Sequence, residues 1–276
     1  MLHFDGKDYQ KIALHGGGNP MFGHYIGLFE TLKWFEDFES FNIPLITCSA
    51  GSMAILYFIL KMKDEKKDVS YLFSKVTEEC ENVLSNLDQR SVVSFDFLDK
   101  LVSTDFECVY NMTFKDLHEI NPNFEWTICC SKYDNFEFSL QTYGTHTPDV
   151  VIWKACLASM ALPIIFPPIE INGCFYCDGD FSNWVEGLDL VDDDSILHIA
   201  PKNNIDINTR IEINTELMLI DELLKFSICC FLRMMIKKEP IHGISRADFN
   251  PSIHKHFLSE EYIESGKLMA NKFVLK

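Results

Sequence analysis

Two short apolar runs near the start of the chain each lead into a turn and then into a helical periodicity. Lys11-Ile-Ala-Leu14 reads as a buried strand and runs directly into Gly16-Gly17-Gly18. From His24 to Phe38 the apolar positions recur at helical spacing, at Ile26, Leu28, Phe29, Leu32 and Phe35. Pro44-Leu-Ile-Thr-Cys48 is a second short strand. Behind Ser49 the residues Met53, Ile55, Leu56, Phe58 and Ile59 predict a strongly apolar helix. Strand, turn and helix are thus written twice, which predicts the opening of a parallel α/β sheet.

Further along, Lys63 to Asp105 reads as charged helices and loops. Phe124 to Ser131 and Phe136 to Thr142 alternate as a strand pair joined by Lys132-Tyr-Asp-Asn135. Asp149 to Met160 has helical character and stops before Pro163. Ile169-Glu-Ile171, the turn Asn172-Gly173 and Cys174-Phe-Tyr-Cys177 form a hairpin pattern. Ser195 to Ala200 is another strand. Glu216 to Lys238 reads as a long apolar helix and Glu260 to Phe273 as an amphipathic one. No repeat or linker divides the chain. The expectation is one domain over residues 1–276, with C-terminal helices from about residue 213 packing on it.

Composition narrows the function. Hydrophobic residues make up 47% and charged residues 24%, as in a folded globular chain. The formal net charge of −17 argues against nucleic-acid binding, because phosphates are repelled. It also disfavours simple electrostatic docking to anionic membranes, so peripheral membrane contact is expected to use apolar insertion or a local basic patch. The ten cysteines show no paired zinc spacing, and several sit in apolar stretches, as Cys48, Cys156 and Cys229 do. Met1 to Gln10 lacks the apolar run of a secretory signal. Together these features lead to the expectation of an intracellular, cytoplasmic protein, not secreted by a classical signal. Phe226 to Ile236 is too short to span a bilayer and is interrupted by Arg233.

Three segments carry candidate chemistry. Thr47-Cys-Ser49-Ala-Gly51 places a serine between a strand and a helix with small neighbours, as a nucleophile elbow requires. A helix N-cap serine has the same local signature. Gly16, Gly17 and Gly18 expose backbone N–H groups suited to an oxyanion. No Gly-Lys-Ser/Thr follows, which removes the phosphate-binding loop of nucleotide enzymes. Asp178-Gly179-Asp180 ends a strand and offers a carboxylate to a serine hydroxyl, although Asp-Gly is also a common turn.

The order of these pieces, glycine loop, serine elbow, distant aspartate, resembles the patatin-like phospholipase family. His24-Tyr-Ile-Gly27-Leu28 is similar to the family's first helix. Ala158-Ser-Met-Ala-Leu-Pro163 with Phe166-Pro-Pro168 and Asn172-Gly173 resembles the approach to its aspartate, and Phe257 to Gly266 resembles its last helix. The resemblance implies a three-layer α/β/α fold with a mostly parallel central sheet. It also implies a lipid or phospholipid ester hydrolase with Ser49 and Asp178 as catalytic dyad, Gly16, Gly17 and Gly18 as oxyanion hole and Gly51 in the elbow, needing no cofactor and no metal.

Three departures accompany the resemblance. Thr47 stands in the elbow's first glycine position, and Asp180 stands where the family has glycine or alanine. The basic residue after the glycine loop is missing, and Asn19 to Phe22 is slightly longer than usual. Two carboxylates so close are expected to raise the pKa of one of them. Two other readings fit the same residues. One is a catalytically impaired lipid-binding scaffold. The other is an α/β-hydrolase triad, with His15-Gly-Gly-Gly18 as its loop and His242, His254 or His256 as base. In the dyad reading these histidines, with His118, His146 and His198, are surface or structural groups. Asp192-Asp-Asp194 reads as a solvated acidic turn, and the helix Leu217 to Ile236 as a core or cover helix.

Overall fold

The computed structural model describes residues 2–4, 6–34, 36, 38–63, 75, 99–100, 102–104, 107–134, 137–163, 166–190, 193–201, 210–213, 260–271 and 273–275. The strands are β1 Leu2–Phe4, β2 Lys7–Tyr9, β3 Lys11–Leu14, β4 Leu45–Cys48, β5 Trp126–Asp134, β6 Glu137–Gly144, β7 Ile169–Ile171, β8 Cys174–Asp178, β9 Ile196–Pro201, β10 Arg210–Ile213 and β11 Phe273–Leu275. The helices are α1 Gly18–Leu32, α2 Ala50–Lys63, α3 Glu107–Tyr110, α4 Phe114–Ile120, α5 Ile152–Met160, α6 Trp184–Gly187 and α7 Glu260–Ala270. The expected helix Glu216 to Lys238, most of the segment Lys63 to Asp105, and His242, His254 and His256 lie outside the described residues.

The main sheet runs β10-β9-β3-β4-β5-β8-β7, with β6 also paired to β5. Strands β10, β9, β3, β4 and β5 are parallel, and β6, β7 and β8 complete the sheet antiparallel. The expected mostly parallel sheet is therefore present. The connections β3-α1-β4 and β4-α2-β5 are crossovers between adjacent parallel strands, which require a helix to return the chain. Helices α1, α2 and α5 pack on one face through Tyr25, Phe29, Ile55, Phe58, Trp153 and Leu157. On the other face Trp184, Val185 and Leu190 cover Ala13, Ile46, Cys48 and Cys129.

Register within β5 positions the site. Strand β6 occupies one edge of β5 from Thr127 to Asp134. The other edge is shared: β4 pairs with Trp126 to Cys129 in parallel, and β8 pairs with Cys130 to Tyr133 antiparallel. The C-terminal ends of β4 and β8 therefore meet head to head, Cys48 opposite Cys129 and Asp178 opposite Cys130. The β7–β8 hairpin turns at Asn172 and Gly173, both at positive φ (52 and 77°), the type I′ geometry that Asn-Gly favours.

Helix α1 starts six residues before the expected position at His24. Pro20 does not prevent this, because an N–H in the first turn has no intrahelical partner to lose. The polar stretch before Gln10 is a hairpin, β1–β2, that gains a third strand from β11. Alternation over three residues is too short a signal to read. Helix α7 crosses α1 so closely that a Cβ on Gly27 would strike the Ile263 carbonyl and one on Gly266 the His24 carbonyl. Beside that crossing His24 contacts the Ser265 hydroxyl at 3.2 Å and the Met269 sulfur at 3.4 Å. Burial lowers the His24 pKa to about 4, so the ring is neutral at ordinary pH. No described helix is long and apolar enough to cross a membrane.

Candidate active site

Ser49 follows β4 immediately and precedes α2, and its φ is +50°. A non-glycine residue held in the left-handed region is strained, and such strain concentrates where a side chain must be aimed. The strain persists because its surroundings over-determine it. The Ser49 N–H donates to Ser159 Oγ at 2.9 Å, and the Ser49 carbonyl accepts the Met53 N–H at 3.1 Å, starting α2. A Cβ on Gly51 would lie 2.5 Å from the Leu14 carbonyl oxygen and 2.7 Å from Leu14 Cβ, so the elbow rests directly on the end of β3. Gly51 thus supports the turn through close approach.

Beneath the elbow lies a chain of buried hydroxyls. Trp126 Nε1 donates to Thr47 Oγ1 at 2.9 Å, and Thr47 Oγ1 lies 2.9 Å from Ser52 Oγ. Ser52 Oγ lies 3.1 Å from Ser159 Oγ, and Ser159 donates to the Cys129 carbonyl at 2.7 Å. Thr47, Ser52 and Ser159 are wholly shielded from solvent. Thr47 replaces the elbow glycine by giving its hydroxyl to this chain, which ends on the atom that accepts the Ser49 N–H. Sequence alone gives Ser52, Ser159 and Trp126 no chemistry; the two serines show only as polar residues in otherwise apolar stretches.

Asp178 is 4% exposed and Ser49 is 8% exposed. Burial and then the negative charge of Asp180 push the Asp178 carboxyl up to about 8. A hydrogen bond from the Ser49 hydroxyl, the Asp180 N–H (3.1 Å to Oδ1) and the Cys48 thiol act in the opposite direction. Asp180 is also raised, first by desolvation, although its side chain reaches solvent and is screened more than Asp178. The expected mutual effect of the two carboxylates is therefore present. Asp180 Oδ1 accepts from the Trp184 indole N–H at 3.1 Å and from Cys48 Sγ at 3.4 Å.

The glycine loop closes the site. A Cβ on Gly16 would stand 3.1 Å from Ser49 Cβ and would run into an Asp180 carboxylate oxygen. Gly16, Ser49 and Asp180 thus converge on one point. Gly17 and Gly18 have φ of 139 and 63°, values that favour glycine, and they begin α1 with no side-chain cap and no acidic residue in its first turn. Two helix starts, of α1 and α2, meet here. Tyr25 fixes the loop from below, its hydroxyl 2.8 Å from the His15 carbonyl and 2.9 Å from the Ile199 carbonyl. His15 and His198 are both buried and joined at 3.0 Å, and the His15 ring packs on Trp184. His118 is exposed and His146 is bonded to Thr142 at the surface.

Among the described residues, Cys48, Asp178 and Asp180 form a group whose ligand atoms lie within 4.8 Å of one another, a spacing compatible with a cation. Burial, Asp180 and Asp178 all hold the Cys48 thiol protonated. As it stands the thiol serves as a donor to carboxylates, whereas a metal would need the thiolate.

The mostly parallel sheet thus carries a strained serine at one strand end and a buried carboxylate at the abutting one. The family model of patatin-like phospholipases matches residues 12–185, a span running from β3 to α6, and the chain belongs to that family. Membership of this family supports a lipid hydrolase. No curated protein matches the sequence. Similar solved structures include VipD from Legionella pneumophila, at 14% identity and a TM-score of 0.46, covering 97% of this chain and 68% of VipD. A chain of the heterodimeric ExoU–SpcU complex of the Pseudomonas aeruginosa type III secretion system is similar at 16% identity and a TM-score of 0.37, covering 83% of this chain and 51% of that one.

Proposed function

We propose that this protein is a serine acyl hydrolase of lipid esters in which Ser49 is the nucleophile and Asp178 its base. The observation that carries the reading is the head-to-head meeting of β4 and β8 on β5. It sets a left-handed serine and a buried carboxylate at one point, with the glycine loop against them. Asp178, once ionised, accepts the Ser49 proton, and Oγ attacks the ester carbonyl carbon. The carbonyl π electrons move to oxygen. The N–H groups of Gly16, Gly17 and Gly18 receive that oxyanion, aided by the first turn of α2. The Ser49 N–H is committed to Ser159, so the loop carries most of this task. Collapse of the intermediate expels the alcohol, which takes the proton from Asp178. Water then attacks the acyl-enzyme by the same route and releases the fatty acid.

The substrate is a lipid or phospholipid ester reached by peripheral contact with a membrane or micelle. The net charge of −17 makes that contact apolar rather than electrostatic. The test is a panel of phospholipids, glycerolipids and soluble acyl esters, read beside fluorophosphonate labelling. Wild type is expected to label at Ser49 and hydrolyse at least one class. Ser49→Ala is expected to do neither while melting at nearly the same temperature. Labelling that persists in Ser49→Ala would assign the nucleophile elsewhere.

A further inference from the structure

The residues that form the site, Gly16–Gly18, Thr47–Gly51 and Cys177–Phe181, include no lysine or arginine and carry two carboxylates, Asp178 and Asp180. Among the described residues, the groups acting on the Asp178 and Asp180 carboxyls likewise include no cation. A lipid hydrolase that grips an anionic headgroup needs the opposite arrangement.

Asp180 is placed where this imbalance reaches the substrate. Its carboxylate abuts Gly16, where an added Cβ would also stand 3.1 Å from Ser49 Cβ. Its side chain is open to solvent, and the Trp184 indole N–H holds Oδ1 in place. An ester carbonyl seated on the glycine loop with its carbon at Ser49 Oγ must therefore lie beside this carboxylate, and the groups flanking the ester bond pass it.

We propose that Asp180 is a charge filter, making the site selective for esters whose flanking groups are neutral or cationic and excluding those with an anion near the scissile bond. The proposal rests on Ser49 being the nucleophile. Within the lipids it predicts preference for neutral glycerolipids and for headgroups that present a quaternary ammonium, over those with net negative charge. Attraction and repulsion beside this carboxylate act on both binding and the developing oxyanion, and salt weakens them.

The experiment uses three butyrate esters of similar shape: of choline, of its neutral isostere 3,3-dimethylbutanol, and of isethionate. Their kcat/KM values are measured on the full chain, for wild type and Asp180→Asn, at about 20 mM and about 0.5 M salt. Asparagine keeps the size of Asp180 and an oxygen for the Trp184 indole. Wild type is expected to favour choline over isethionate ester by about tenfold or more at low salt, and less at high salt. In Asp180→Asn the ratio is expected to fall to about threefold or below. Labelling rates of Ser49 with cationic and anionic phosphonates give the same ratio without turnover. An unchanged ratio in Asp180→Asn, with Ser49 still labelled, overturns the filter alone. Loss of Ser49 labelling in wild type overturns the nucleophile and the filter together.

Discussion

At the scale of single residues, the base proposed at Asp178 joins function and stability with opposite signs. Its pKa rises from 3.8 to about 8 on folding, chiefly through burial. Between those values the folded protein keeps a proton that the unfolded chain releases. Stability from this group is therefore full below about pH 4 and is lost as pH rises to about 8. The ionised form that can act as base is thus the less stable form. Asp178→Asn is expected to be inactive yet to melt higher than wild type, by a few °C at pH 8 and by little at pH 4. Asparagine still offers an oxygen to the Asp180 N–H. Melting curves at both pH values, with an ester assay alongside, check this; equal shifts at the two pH values would contradict the assignment.

The buried hydroxyls make a second prediction at this scale. Ser159→Ala removes the acceptor of the Ser49 N–H and leaves that donor buried, which costs about 1–3 kcal/mol. The strained φ of Ser49 then loses a support. The acylation rate is expected to fall about tenfold or more with KM little changed, because aim rather than binding is affected. Thr47→Val, nearly isosteric, should lower the rate less, since Ser159 keeps its bond to the Cys129 carbonyl. Pre-steady-state labelling by a fluorophosphonate measures both. A rate loss that merely tracks the folded fraction would reduce Ser159 to a packing residue.

At the scale of elements, the crossing of α7 on α1 is built for glycine. A methyl group on Gly27 or Gly266 meets backbone carbonyls, which cannot rotate away as a side chain does. Gly266→Ala is expected to destabilise the protein by about 1–3 kcal/mol. It should also speed proteolysis after residue 259, and both are read by urea unfolding and timed digestion. Because α1 begins at the glycine loop, partial loss of ester activity should accompany the change. Element-level structure was legible where chemistry repeats over a full turn or strand. The β3-loop-α1 and β4-elbow-α2 units were visible because strand-like and helix-like patterns succeed each other with glycine or serine between. The β1–β2 hairpin was not, because its partner β11 lies some 270 residues away and no local pattern reveals that pairing.

At the scale of the whole molecule, the class of fold and the candidate site were readable for different reasons. A parallel sheet follows from alternating strand and helix patterns. Ser49, Asp178 and the glycines stood out because each breaks the apolar run around it with a residue fit for a specific task. Spatial facts were invisible. That β4 and β8 share one edge of β5 depends on pairings between strands 81 residues (β4–β5) and 42 to 48 residues (β5–β8) apart in sequence. That Asp180 leans on Gly16 depends on the same pairing. Thr47 illustrates the limit well: in sequence it is a departure from glycine, and in space it is one link of a buried hydroxyl chain.

The three-stranded sheet β11-β1-β2 has a mechanical consequence. Leu2 pairs with Leu275 and Phe4 with Phe273, antiparallel, so the outer ends of both strands lie at the same end of the ladder. Tension that draws Leu2 away from Leu275 loads the hydrogen bonds one after another, as a zipper opens, and never all at once. Resistance along this direction is low. Once the ladder has parted, the pull passes through the short link to α7 and from there to α1, whose first turn forms part of the glycine loop. A modest tug at this corner of the molecule is thereby transmitted to the site, whereas the same force along the β4–β5 ladder would meet its bonds in shear.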